Sequence, residues 1–194
     1  MRRSLKLDFL GLYLFLPSFL LPLLLAVSAQ GAWADFSIPP LTGPVVDGAG
    51  MFSSGTKTRL DSFLRGLAER GSTQLQVATL PDLGGLSIEE ASIKIVDAWK
   101  LGTAKADNGI LLLFAAKERR VRIEVGQGKE GDIPDVIASR IIREVIVPRM
   151  REGSPDQAVM AAVMAIVGYT DPRYLRLRAT HRRKRRSARR GLFR

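Results

Sequence analysis

Asp107 to Asp135 reads DNGILLLFAAKERRVRIEVGQGKEGDIPD, and the fold follows from how this stretch divides. Gly109 to Ala115 is an unbroken apolar run of strand length. Arg120 to Val125 sets Arg120, Arg122 and Glu124 in alternation with Val121, Ile123 and Val125, the period of a strand with one buried face. Lys117-Glu118-Arg119 is the turn between them. If the two strands pair as a hairpin, Asp107 and Asn108 before the first meet Gly126 to Asp135 after the second at one edge of the sheet. Asp107, Asn108, Glu130 and Asp135 then offer hard oxygen ligands in one place, with Asp47 and Glu124 as further candidates. That ligand chemistry suits calcium or magnesium.

Outward from this stretch, strands and helices mix. Phe36 to Pro44 is a proline-rich lead-in, expected to lie extended over the surface. Val45-Val46-Asp47 is a short segment ending in a turn at Asp47-Gly48. A helix follows, with Ser53 or Ser54 as N-cap, Leu60, Phe63, Leu64 and Leu67 on one face and Gly71 at its end. Gln74 to Leu80 alternates as a strand, and Pro81 to Gly85 is a loop. Ser87 with Glu90 forms a capping box that opens a second helix, whose Ile88, Ala91, Ile95 and Trp99 or Ala98 face the core. A third helix is predicted from about Pro134 to Val147, capped from Asp132 or Ile133 and stopped by Pro148. A fourth begins at Ser154-Pro155-Asp156-Gln157 and presents Val159, Ala162, Val163, Ile166 and Val167, with Asp171-Pro172 closing the domain. The order predicts an α/β protein, an α/β/α sandwich with a small mixed sheet flanked by about four helices.

The ends of the chain bear on location. Arg2, Arg3 and Lys6 precede an apolar segment, Phe9 to Val27, and Ala32-Trp33-Ala34 is an A-x-A pattern, so residues 1–34 read as a signal peptide. Val27-Ser28-Ala29 is a second cut site, and a length near the roughly 20 residues of a span leaves retention as an anchor open. The protein is therefore expected to be exported, either periplasmic or at the outer face of the inner membrane. There is no cysteine, so an exported domain must be held by its core alone. The formal net charge is +11, and the tail from Arg173 carries eleven Arg and Lys and no acid, which accounts for the whole excess. Charge-driven nucleic-acid binding is thus not expected of the domain, which is mildly acidic. The tail, with Arg182, Arg183, Lys184, Arg185 and Arg186 at its densest point, reads either as a basic segment lying on anionic lipid or as a solvated extension.

Several motifs together resemble the TPM-domain family, which includes thylakoid-lumen acid-phosphatase-like, photosystem II repair and related exported bacterial proteins. They are Val46-Asp47, the loop into Ile88-Glu89-Glu90, Trp99-Lys100-Leu101-Gly102, Asp107-Asn108-Gly109, Arg119 to Gly128, and Glu130-Gly131 before Asp135. The likeness spans about residues 45 to 170. It implies a compact α/β/α fold, a divalent-cation site in some members and a weak phosphatase activity in a few. Lys129 departs from the apolar residue usual at its position, and the basic tail stands where a glycine-rich extension and a membrane helix are common.

Each signal also has a plainer reading. Asp107-Asn108-Gly109 is composed as a turn, Asp47 could cap the approach to a helix, Glu124 could be salt-bridged, and Trp99 reads as core. Gly126 to Gly131 matches G-x-G-x-x-G, but the chain beyond it is helical and not a βαβ unit, so no nucleotide is expected. His181, the one histidine, lies in the tail, so neither a zinc site, a haem nor a histidine-based triad is expected, and no catalytic residue is assigned. The sequence therefore favours an accessory protein of envelope or membrane-protein maintenance with a divalent-cation site, partnered by lipid or an envelope protein. The alternative is a metal-assisted, acid-phosphatase-like hydrolase of phosphate esters, and a scaffold docking through the acidic loops is a third class.

Overall fold

A computed structural model describes residues 36–71, 73–103, 106–171, 173 and 176. Residues 35–194 belong to one compact unit. The leader and the tail cluster Arg182, Arg183, Lys184, Arg185 and Arg186 lie outside the described residues.

Four strands form one sheet in the order β1 (Val45–Asp47), β2 (Gln74–Leu80), β3 (Gly109–Ala115), β4 (Arg120–Val125). β1, β2 and β3 run parallel, and β4 returns antiparallel to β3 with Ile110 opposite Val125 and Ala115 opposite Arg120. β3 is buried on both faces along its whole length, which is why its sequence is continuously apolar and not alternating. Ile110, Leu112 and Phe114 enter one core; Leu111, Leu113 and Ala115 enter the other. On the first face lie α1 (Ser54–Ala68) and α6 (Pro155–Thr170), whose Leu60, Leu64, Val159, Val163 and Ile166 fill that core. On the second lies α2 (Ile88–Trp99), whose Ile88, Ala91, Ile95 and Trp99 form the other. This is the three-layer arrangement and mixed sheet that the order of elements predicts.

Local signals account for most boundaries. The Ser53 side chain accepts the Thr56 N–H at 3.3 Å, capping α1. At α2 the reciprocal bonds of the Ser87 and Glu90 capping box are both present. Helix α1 stops at Ala68, ahead of Gly71, whose φ of 71° turns the chain toward β2. The lead-in is pinned to the second core: the Trp99 Nε1–H donates to the Pro39 carbonyl at 2.9 Å, and Phe36 and Ile38 pack alongside.

Three boundaries differ from the sequence expectation. Gly126 to Gly131, expected as loop throughout, contains one helical turn, α3 (Gln127–Glu130). The third helix does not stop at Pro148. It runs as α4 (Asp135–Arg140), a π-helical turn (Ile141–Ile146) and α5 (Val147–Arg151). A proline has no N–H to give and crowds the carbonyl four residues back; the widened turn, in which the Val147 N–H reaches the Ile142 carbonyl, absorbs both effects and lets the helix continue. Its N-cap is Pro134, with no side-chain cap from Asp132 or Ile133. Finally, Ser154 occupies the N-cap of α6 without a side-chain cap bond, and Asp156 instead accepts the Ser53 N–H at 2.9 Å, tying α6 to the start of α1.

Candidate functional site at the hairpin edge

The hairpin brings the two acidic, glycine-rich loops together. The Gly126 N–H donates to the Gly109 carbonyl at 2.9 Å, and the Gly128 N–H to the Asp107 carbonyl at 3.0 Å. The Asp107 carboxylate accepts the Gln127 N–H through Oδ2 at 2.9 Å, so this side chain latches the end of β4 to the start of β3. Asp107 itself has φ 39°, left-handed backbone that Asp tolerates better than most side chains. Asn108 Oδ1 accepts the Thr103 N–H at 3.1 Å, which folds the preceding loop onto the same edge.

Close backbone approach explains the glycines. A Cβ at Gly128 would sit 1.8 Å from the Ala106 carbonyl oxygen, and one at Gly126 would sit 2.5 Å from the Asp107 carbonyl oxygen. At Gly102, where φ is 87°, a Cβ would meet the Gly109 nitrogen at 2.7 Å. The G-x-G pattern therefore serves backbone packing around Asp107. Gly102, Thr103 and Gln74, whose Oε1 accepts the Gly102 N–H at 3.0 Å, belong to this edge as much as the acids do. Gln74 and Thr103 carry no sequence signal that would single them out.

Beyond the latch, Glu130 and Asp135 are exposed on the α3 turn and at the start of α4. Lys129, next to Glu130, pairs through Nζ with Asp132 at 2.9 Å, so this residue places a cation among the acids of the segment. Among the described residues, no group of three or more Asp, Glu, His or Cys side chains could hold a metal ion.

Two of the candidate ligands lie elsewhere. Asp47 ends β1 opposite Thr79, whereas Asp107 precedes Gly109, which pairs with Gln74. Five residues of β2 separate the two levels, about 16 Å at strand rise, so Asp47 cannot share an ion with Asp107. Its carboxylate is 2% exposed and takes the N–H groups of Met51 and Phe52 at 2.8 and 3.2 Å, the Thr79 hydroxyl at 2.7 Å and Lys57 at 3.4 Å. Burial works to raise its pKa, and these donors together outweigh burial and hold it below the ordinary carboxylate value. Asp47 thus organises the approach to α1. Glu124 faces α2: its Oε2 accepts the Ser92 hydroxyl at 2.6 Å and Arg122 Nε–H at 2.9 Å, while Glu89 stands 3.8 and 4.0 Å from Arg120 and Arg122. This polar seam fastens α2 to β4.

The same architecture is found in known proteins. The TPM domain matches residues 45–169. The N-terminal domain of a protein from P. gingivalis is similar at 31% identity, with a TM-score of 0.64 over 70% of this chain and 89% of that one. The N-terminal domain of the cg2496 protein from Corynebacterium glutamicum shares the fold at 16% identity, with a TM-score of 0.53 over 70% and 84% of the two chains. No curated protein sequence matches. The chain belongs to the TPM-domain family.

Proposed function

We propose that this TPM-domain protein is an exported accessory factor of envelope or membrane-protein maintenance, whose hairpin edge senses a divalent cation. The observation that supports the reading is the Asp107 latch: one carboxylate joins the loops before β3 and after β4, so a charge placed on it acts on both. The donor chemistry suits a hard cation. The count of acids does not make a closed cage, so calcium or magnesium would be held by Asp107 and Asn108 with backbone carbonyls and water, and weakly. The leader and the basic tail support a setting at the membrane surface. Among the described residues no helix is long and apolar enough to cross a membrane.

Titration of residues 35–194 with calcium and with magnesium, followed by thermal unfolding, tests this. A ligand held only by the folded state must raise the melting temperature. The rise is expected in the millimolar range, absent in Asp107→Ala, and larger in Lys129→Ala because a competing positive charge has gone. No rise with either ion would overturn the cation reading. The hydrolase alternative is separated by adding a phosphomonoester: hydrolysis abolished by chelator and by Asp107→Ala would favour it.

A further inference from the structure

We infer that β4 is a homodimerisation edge, at which two copies of this chain pair antiparallel about Ile123 into one continuous sheet. Among the described residues, β4 pairs in the sheet with β3 alone. Because the Gly126 N–H points to Gly109, strand alternation directs the backbone groups of Glu124, Arg122 and Arg120 toward β3 and those of Val121, Ile123 and Val125 away from it. Among the described residues no hydrogen bond takes up these three outward N–H groups. A strand edge whose N–H groups are not taken up is a template for another strand.

The sequence of the edge states which strand it fits. Val121-Arg122-Ile123-Glu124-Val125 is symmetric in shape and antisymmetric in charge about Ile123. Antiparallel pairing centred there places Val121 opposite the partner copy's Val125 and Ile123 opposite itself, each pair exchanging both N–H···O bonds. It places Arg122 opposite the second copy's Glu124, and the reverse, in the non-hydrogen-bonded positions where side chains approach most closely. Shifting the centre by one residue sets Arg122 against Arg122 or Glu124 against Glu124, so charge fixes the register. A second copy is therefore a better fit than an unrelated strand, and two-fold symmetry closes the pair without an open chain of copies. The surroundings agree. On the α2 flank Ile93, one turn beyond the Glu89 that meets Arg120 and Arg122, is 52% exposed. Val136, at the start of α4, is 64% exposed.

A strand-pair contact is small, so association is expected to be weak and is best read between about 10 µM and 1 mM. Residues 35–194 form a compact unit, and the related domains were solved without the rest of their chains, so this span is the protein to test. Sedimentation equilibrium should show a monomer–dimer equilibrium. Arg122→Glu and Glu124→Arg should each weaken it about tenfold or more, since both symmetry-related pairs become like-charged. An equimolar mixture of the two variants should dimerise again, because each then supplies the charge the other lacks. Hydrogen exchange at Val121, Ile123 and Val125 in the unmodified protein should slow as concentration rises, which reads the pairing without any substitution. A monomer throughout the range, variants that dimerise undiminished, a mixture that fails to recombine, or exchange at these amides independent of concentration would each overturn the proposal.

Discussion

At the scale of single residues, the acids that look alike in sequence do different work, and burial decides which. Asp47 is enclosed and accepts four donors, so its ionised form is part of the fold. Its pKa is depressed in the folded state, which means that the stability it contributes is complete above the ordinary aspartate pKa of about 4 and is lost as pH falls through the folded value. Asp47→Asn removes that linkage: unfolding should be easier by about 1–3 kcal/mol at neutral pH, and the acid limb of a stability–pH curve from denaturant melts should flatten. An unchanged acid limb would contradict the assignment. Gly128→Ala should disturb the other end of the sheet, because its Cβ has no room beside Ala106. The expected cost is about 1–3 kcal/mol, with faster exchange of the Gln127 amide that Asp107 holds. Sequence identified the meeting of the loops before β3 and after β4, where the Asp107 carboxylate takes the Gln127 N–H and its carbonyl takes the Gly128 N–H. It could not separate Asp47 from them, because only the parallel pairing of β1 with β2 reveals which end of the sheet Asp47 occupies.

At the scale of elements, what is local was legible and what is tertiary was not. Ser87 and Glu90 are three residues apart and make their bonds to each other, so the box could be read directly. Ser87→Ala should cost about 1 kcal/mol and lower the melting temperature by roughly 3–4 °C, with the helix retained by its buried Ile88, Ala91 and Ile95. A shift near zero would mean that packing alone sets where α2 begins. Pro148 gives the opposite lesson. Its local meaning is a helix stop, but Ile141 and Ile146 before it are buried in the first core, and a widened turn satisfies both the proline and the packing. Likewise, the α6 N-terminus carries every local capping signal, yet Asp156 is drawn to Ser53 across the interface with α1. Both outcomes depend on neighbours far away in sequence, which no local pattern contains.

At the scale of the whole molecule, charge and topology combine. The domain hides its apolar surface in two cores around one sheet, while the tail from Arg173 carries as much positive charge as the entire formal excess of +11. Near an anionic surface each basic residue contributes roughly 1 kcal/mol, falling off within a Debye length. Residues 35–194 should therefore cosediment with phosphatidylglycerol-containing vesicles at low salt and dissociate as salt rises, and removal of everything after Pro172 should abolish binding. Pairing through β4 would strengthen this without any new lipid contact, because two tails on one particle rebind at high effective concentration. Arg122→Glu leaves every tail residue in place. If β4 joins two copies, this substitution should nonetheless weaken vesicle binding at protein concentrations where the unmodified chain is paired, and mixing with Glu124→Arg should restore it. Binding unaffected by truncation would remove the tail from the mechanism; binding lost on truncation but indifferent to Arg122→Glu would leave each copy acting alone at the membrane.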